Sequence, residues 1–141
     1  RWVAIHESDE ELSKTLLDIL DTPISPELTP ASSEGKIKQK TEDLVGPYEL
    51  HDFYLYHTLK NGYSPKLIYE RAKLAFGGKY TDEVIKKWLK TFFRRFFTQQ
   101  FKRSCLPDGP NVTGLSLSPR GGWMMARDAS FTLWTQEVED L

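Results

Sequence analysis

Seven basic side chains gather past the middle of the sequence: Lys86, Lys87, Lys90, Arg94, Arg95, Lys102 and Arg103, interleaved with five phenylalanines. Cations among aromatic rings can grip a nucleic acid, the charges meeting phosphates and the rings stacking on bases. The spacing argues for something plainer. The aromatics fall on one helical stripe and most of the bases on the opposite face, the pattern of an amphipathic helix with a solvated side. Lys102 and Arg103 stand apart, because they sit where that helix should end, just before a Gly/Pro-rich loop. Cations there are set to meet an anionic ligand. The three histidines, His6, His51 and His57, have neither the spacing nor the company of a metal or catalytic set. No Gly-x-Ser-x-Gly turn surrounds Ser116, Ser118 or Ser130. Cys105 has basic neighbours that would acidify its thiol, but a plain buried or half-buried thiol is the expectation. Asn111-Val112-Thr113 fits a glycosylation sequon, which carries little weight without a secretory signal. Neither a Gly-x-x-x-x-Gly-Lys-Ser/Thr loop nor a Rossmann glycine fingerprint is present.

The frame around these residues is ordinary. A chain of 141 residues, 39% hydrophobic and 28% charged, can bury a core as one domain. Its formal net charge of −1 is too balanced for a dedicated polyanion binder. No apolar run approaches the roughly 18–20 residues of a membrane-spanning helix. The first residues lack the apolar core and small-residue cleavage site of a signal peptide. The single cysteine makes neither an internal disulfide nor a metal cluster. A reducing, cytoplasmic setting is therefore expected. The chain opens without Met, as a fragment would.

Helical periods supply the elements. Ser8 and Glu11 form a capping-box pattern ahead of Leu12, Leu16, Ile19 and Leu20, which predicts a helix over residues 9–21. Four prolines, a Ser32-Ser33-Glu34-Gly35 turn and the run Lys36-Ile37-Lys38-Gln39-Lys40 make 22–47 a long loop, of the length typical of functional lids or linkers. Pro47 opens a second helix that ends at Asn61-Gly62. Ser64-Pro65 caps a third, closed by Gly77-Gly78, and Thr81-Asp82-Glu83 caps the fourth and longest. The stripe of that fourth helix is Ile85, Trp88, Leu89, Phe92, Phe93 and Phe96. Glycines and prolines break residues 104–127. A last amphipathic segment runs from Asp128 to about Glu139, with Phe131, Trp134 and Val138 on one face. The isolated chain is thus expected to be mainly α.

The stretch from Arg94 to Pro110, reading RRFFTQQFKRSCLPDGP, closely resembles the end of the synthetase domain of bacterial glutamine-dependent NAD synthetases. Leu117-Ser118-Pro119-Arg120-Gly121, Asp128-Ala129-Ser130, the segment from Asp21 to Leu28 and the segment from Thr41 to Tyr48 are similar to the same family, in order along nearly the whole chain. Such enzymes adenylate the nicotinate carboxylate of deamido-NAD with ATP and Mg²⁺, and ammonia from a glutaminase domain then displaces AMP. The resemblance implies an α/β parent domain of the N-type ATP pyrophosphatase (adenine nucleotide α-hydrolase-like) kind. This chain would be its helical C-terminal part: a lid loop at 22–47, a helical core at 48–103, a substrate-side loop at 104–127 and a C-terminal helix at 128–141. The parent's Ser-Gly-Gly-x-Asp-Ser phosphate loop and its glutaminase residues are absent here. The segment alone is therefore expected to bind neither ATP nor Mg²⁺ and to be inactive.

Carried over by position, the resemblance implies that Lys102 contacts deamido-NAD; against it stands a helix-terminal lysine offsetting the dipole. Asp43 would accept a substrate hydrogen bond. Thr41 and Glu42 would sit in the ATP-side lid. Ser25 would either lie near the ATP phosphates or serve a turn. One position departs from the pattern: Gly122 stands where the family offers an aspartate to the substrate pocket, so an ionic acceptor is missing, and either the contact is rebuilt or affinity for deamido-NAD is reduced. The expected partners are deamido-NAD, ATP, the remaining synthetase and glutaminase domains and further copies of the chain, with no nucleic acid and no membrane. The aromatic faces of the second and fourth helices would pack on the rest of that domain. The alternative is a non-catalytic helical interaction module derived from the synthetase tail.

Overall fold

The protein is described here by a computed structural model covering residues 1–22, 41–109, 111 and 114–141. Every regular element among the described residues is an α-helix, which agrees with the mainly α expectation. The chain divides into two compact units, Arg1–Leu44 and Val45–Leu141.

In the first unit, α1 (Trp2–His6) packs with α2 (Glu10–Asp21). The capping-box expectation is corrected here. Asp9, not Ser8, caps α2, its carboxylate accepting from the Leu12 N–H at 2.8 Å, while the Ser8 hydroxyl turns back to donate to the Val3 carbonyl. A charged acceptor is the better partner at the positive end of a helix, and closing α1 employs the serine. Five-residue α1 has no period to read and was not foreseen. The short α3 (Thr41–Val45) likewise interrupts what the sequence suggests is a continuous loop. Most of that loop, including Ser25, lies outside the described residues.

The second unit is built round α6 (Asp82–Thr98), against which α4 (Tyr48–Asn61), α5 (Pro65–Phe76) and α8 (Thr132–Glu139) pack. Its core joins Leu50 and Tyr54 of α4, Ile68 and Ala72 of α5, Ile85, Leu89 and Phe93 of α6, and Val138 of α8. Tyr54 brings a polar atom into this core and satisfies it, donating to the Ile85 carbonyl at 3.0 Å. The expectation that the aromatic face of the fourth helix packs on other domains is corrected, since Phe92, Phe93, Phe96 and Phe97 are buried within this chain; on the second helix Tyr54 is buried while Tyr56 stays 48% exposed.

Local rules account for most helix ends. Ser64 and Thr81 accept from the Leu67 and Val84 N–H groups as N-caps, and Pro65 occupies the first turn of α5. Pro47 is the cap residue of α4 rather than its first helical residue. Ahead of it, Gly46 has φ +93° and lies flat on Trp88, where a Cβ would come within 2.4 Å of the indole. Only glycine combines that backbone with that approach. The last helix starts at Thr132, not Asp128, because the Ser130 hydroxyl accepts the Thr132 N–H and ends the preceding loop there. Among the described residues no helix is long and apolar enough to cross a membrane.

Candidate functional site

The fourth helix does not run on to Arg103 as its stripe suggests. It stops at Thr98, and Phe101–Ser104 form a separate short helix, α7. The break has a cause in Gln100, a polar residue falling on the apolar stripe one turn after Phe96. Its side chain is 8% exposed, and its amide donates to the carbonyls of Ala126 at 2.7 Å and Arg127 at 2.9 Å. Gln100 thereby pins the far end of the 104–127 loop to the break. Leu117, Trp123 and Met125 pack against the core and hold the rest. The 114–127 part of that loop is thus packed onto the helices. Gln100 itself was missed; the signal was a glutamine where the helical period demands an apolar residue.

Arg103 follows on α7. Its guanidinium lies over the Phe96 ring, 4.9 Å from the centroid, and donates to the Phe96 carbonyl and the Met125 sulfur at 3.4 Å. These contacts are long and involve no carboxylate. Burial holds its pKa below the usual arginine value. Two clefts open on either side of this group. One, of about 300 Å³, is lined by Gln100, Phe101, Arg103, Trp123, Met125 and Arg127 among others. The other, of about 290 Å³, runs between Arg103 and the Leu106–Gly109 and Leu117–Arg120 segments. Across the second, Arg120 donates to Asp108 and to the Leu106 carbonyl, both at 2.7 Å, and clamps the two loop segments together.

Lys102, the residue singled out by the resemblance, is exposed on α7 and lines neither cleft. Cys105 is exposed and free, which corrects the expectation of a buried or half-buried thiol; it lies past the break, on the solvent side of the α7 turn. Gly122 sits in a tight turn in which its own N–H and that of Trp123 both donate to the Ser118 carbonyl at 2.9 Å. A Cβ at Gly122 would meet the Ser116 hydroxyl at 2.5 Å and the Ser116 main-chain oxygen at 2.6 Å. A side chain introduced by Gly122→Asp therefore has no room without a backbone shift.

Thr41, half-buried, and Glu42 and Asp43, exposed, share α3 at the end of the first unit. Lys102 and Gly122 belong to the second unit. Ser25 falls outside the described residues. His51 is half-buried edge-on to Phe92, its Nε2 buried without a partner among the described residues. Burial, and then the Arg95 charge, lower its pKa. Among the described residues no group of three or more His, Cys, Asp or Glu side chains converges to hold a metal.

No family model matches the sequence. Similarity to individual proteins is nonetheless extensive. The chain is 40% identical to a glutamine-dependent NAD(+) synthetase of Mycobacterium leprae, over 158 aligned positions that take in 99% of this chain. It is 36% identical, over the same share of its length, to the proteins of that name from Mycobacterium bovis and Mycobacterium tuberculosis. The alignments are longer than the chain itself, so gaps separate its matching segments. The chain spans 23% of the length of these relatives, which places its similarity with one quarter of a much larger synthetase.

Proposed function

We propose that this chain is the C-terminal segment of a glutamine-dependent NAD synthetase, an ATP-dependent ligase that converts deamido-NAD to NAD through an adenylated carboxylate and glutamine-derived ammonia. The observation that carries the reading is the similarity to proteins of that name along 99% of the chain. In this reading 22–47 is the lid, 48–103 the helical core, 104–127 the substrate-side loop and 128–141 the closing helix of an α/β domain of the N-type ATP pyrophosphatase kind. The remaining synthetase and glutaminase domains are its partners, in a cytoplasmic homo-oligomer.

Lys102 is the proposed contact to deamido-NAD. It stands on the solvent side of α7, where a compact ammonium is available to an anionic substrate group. Asp43 accepts a substrate hydrogen bond, while Ser25, Thr41 and Glu42 belong to the ATP side. The loop that would hold the ATP triphosphate and a site for Mg²⁺ are not found in this segment, which lacks the phosphate-loop motif and, among the described residues, any metal-holding cluster. They are assigned to the rest of the enzyme, and the segment alone is inactive. With Gly122 in place of the family's aspartate, recognition in this region rests on cations rather than on an ion-pair acceptor.

The test is NAD formation from deamido-NAD, ATP and ammonia by the longer protein that contains this chain. Lys102→Ala should lower kcat/KM for deamido-NAD by roughly tenfold to a hundredfold, the cost of one hydrogen bond to a charged group. An unchanged kcat/KM would remove Lys102 from the site. Absence of NAD formation by the unsubstituted protein would favour the non-catalytic module.

A further inference from the structure

We infer that the cleft between α7 and the 123–127 stretch is a binding site for a phosphoryl group, received by the guanidinium groups of Arg103 and Arg127. Both residues line it, and no acidic residue does among the described residues. Arg103 is half-buried, yet among the described residues its hydrogen-bond partners are the Phe96 carbonyl and the Met125 sulfur, each at 3.4 Å. A charge removed from water without an anionic partner is costly, and burial accordingly disfavours its charged form. An oxyanion in the cleft would supply the missing acceptor.

The site is also built. The Phe96 ring under the Arg103 guanidinium and the Phe96 carbonyl and Met125 sulfur it donates to hold that group beside the cleft, with only long contacts to exchange for an anion. Gln100 holds the Ala126 and Arg127 carbonyls and so fixes the backbone from which the second cation projects. Two cations with no acid between them match a dianion better than a monoanion, which selects a phosphoryl group over a single carboxylate. A cleft of about 300 Å³ suits one such group with the edge of what it is attached to. Neighbouring Arg120 is no third member, since Asp108 already neutralises it. This inference concerns Arg103 and Arg127 and stands whether or not Lys102 contacts deamido-NAD.

The experiment titrates the 141-residue chain with inorganic phosphate and with pyrophosphate at physiological ionic strength. Calorimetry gives the affinity, and the arginine side-chain N–H resonances report the site. Saturable binding is expected, weakened about tenfold or more by Arg103→Gln and by a smaller factor in Arg127→Gln. Arg94→Gln removes the same charge from an exposed position on α6 and should leave the affinity unchanged. Because Arg103 also packs on Phe96, circular dichroism accompanies each variant. If Arg103→Gln unfolds, Arg127→Gln decides, as its exposed side chain supports no packing. The inference is overturned by an absence of saturable binding, by equal weakening in Arg94→Gln, by binding indifferent to Arg127→Gln, or by benzoate, a monocarboxylate, binding as tightly as phosphate.

Discussion

Helices α2 and α6 are written in the same way and end in different states. Both carry apolar residues at helical spacing, both begin at a side-chain N-cap, and both place acids in the first turn. Yet α6 buries six residues, while α2 buries none and leaves Ile19 64% exposed. The period of a sequence decides which face of a helix is apolar. What covers that face is decided by other elements, and in α6 it is α4, α5 and α8 that do so. A 12-residue helix that, among the described elements, packs only with the five-residue α1 draws little stability from its own backbone. The two helices should therefore answer differently to the same substitutions.

Truncation in the two stripes gives the largest contrast. Phe93→Ala should cost about 3–5 kcal/mol in urea unfolding, because the ring is fully buried at the centre of α6. Ile19→Ala should stay within about 0.5 kcal/mol. Equal losses would mean that α2 is covered in solution and would break the comparison. Next, Gly46→Ala should cost about 1–3 kcal/mol, since its Cβ collides with Trp88 in a left-handed backbone. A neutral result would show that Trp88 is not held on α6 as described.

The caps sharpen the contrast. Thr81→Ala should lower global stability by about 1 kcal/mol, because α6 cannot fray without opening the core. Asp9→Ala should leave the melting temperature unchanged and instead speed amide exchange within α2 alone. The smallest effect is one of pH. The pKa of His51 is lowered in the fold, so the unfolded chain takes up a proton first as the solution is acidified. Stability is then fully present above the ordinary histidine value of 6.5 and declines as pH falls below it. His57, whose pKa is also lowered by burial and then by Arg71, adds in the same direction. His51→Gln should flatten the fall in melting temperature between about pH 7 and 5.5, and an unchanged slope would assign the effect to His57.

Much of the second unit was legible because several local signals agree. Ser64 with Pro65, Thr81 with Asp82 and Glu83, and the stripe from Ile85 to Phe96 each predict the same helices, and the structure has them. The misses share one physical origin, a competition that a local pattern does not reveal. Ser8 and Asp9 both suit a cap, and the outcome depends on α1, which is too short to have a period. The end of α6 depends on where Gln100 finds its acceptors, 26 and 27 residues further on. The candidate site shows the same limit. Lys102 and Arg103 stand out together at a helix end, but only the folded loop shows that Arg103 borders both clefts while Lys102 faces solvent.

The closure of Ser116 onto Gly122 makes substitutions in this loop depend on one another. The obstructing atoms include a main-chain oxygen, so trimming the serine side chain would not reopen the position. An acid placed at 122 must wait until the 116–118 backbone has shifted, and its effect depends on substitutions already present elsewhere in the loop. Position 122 is in that sense contingent: what an acid does there is set by the conformation of the 116–118 backbone.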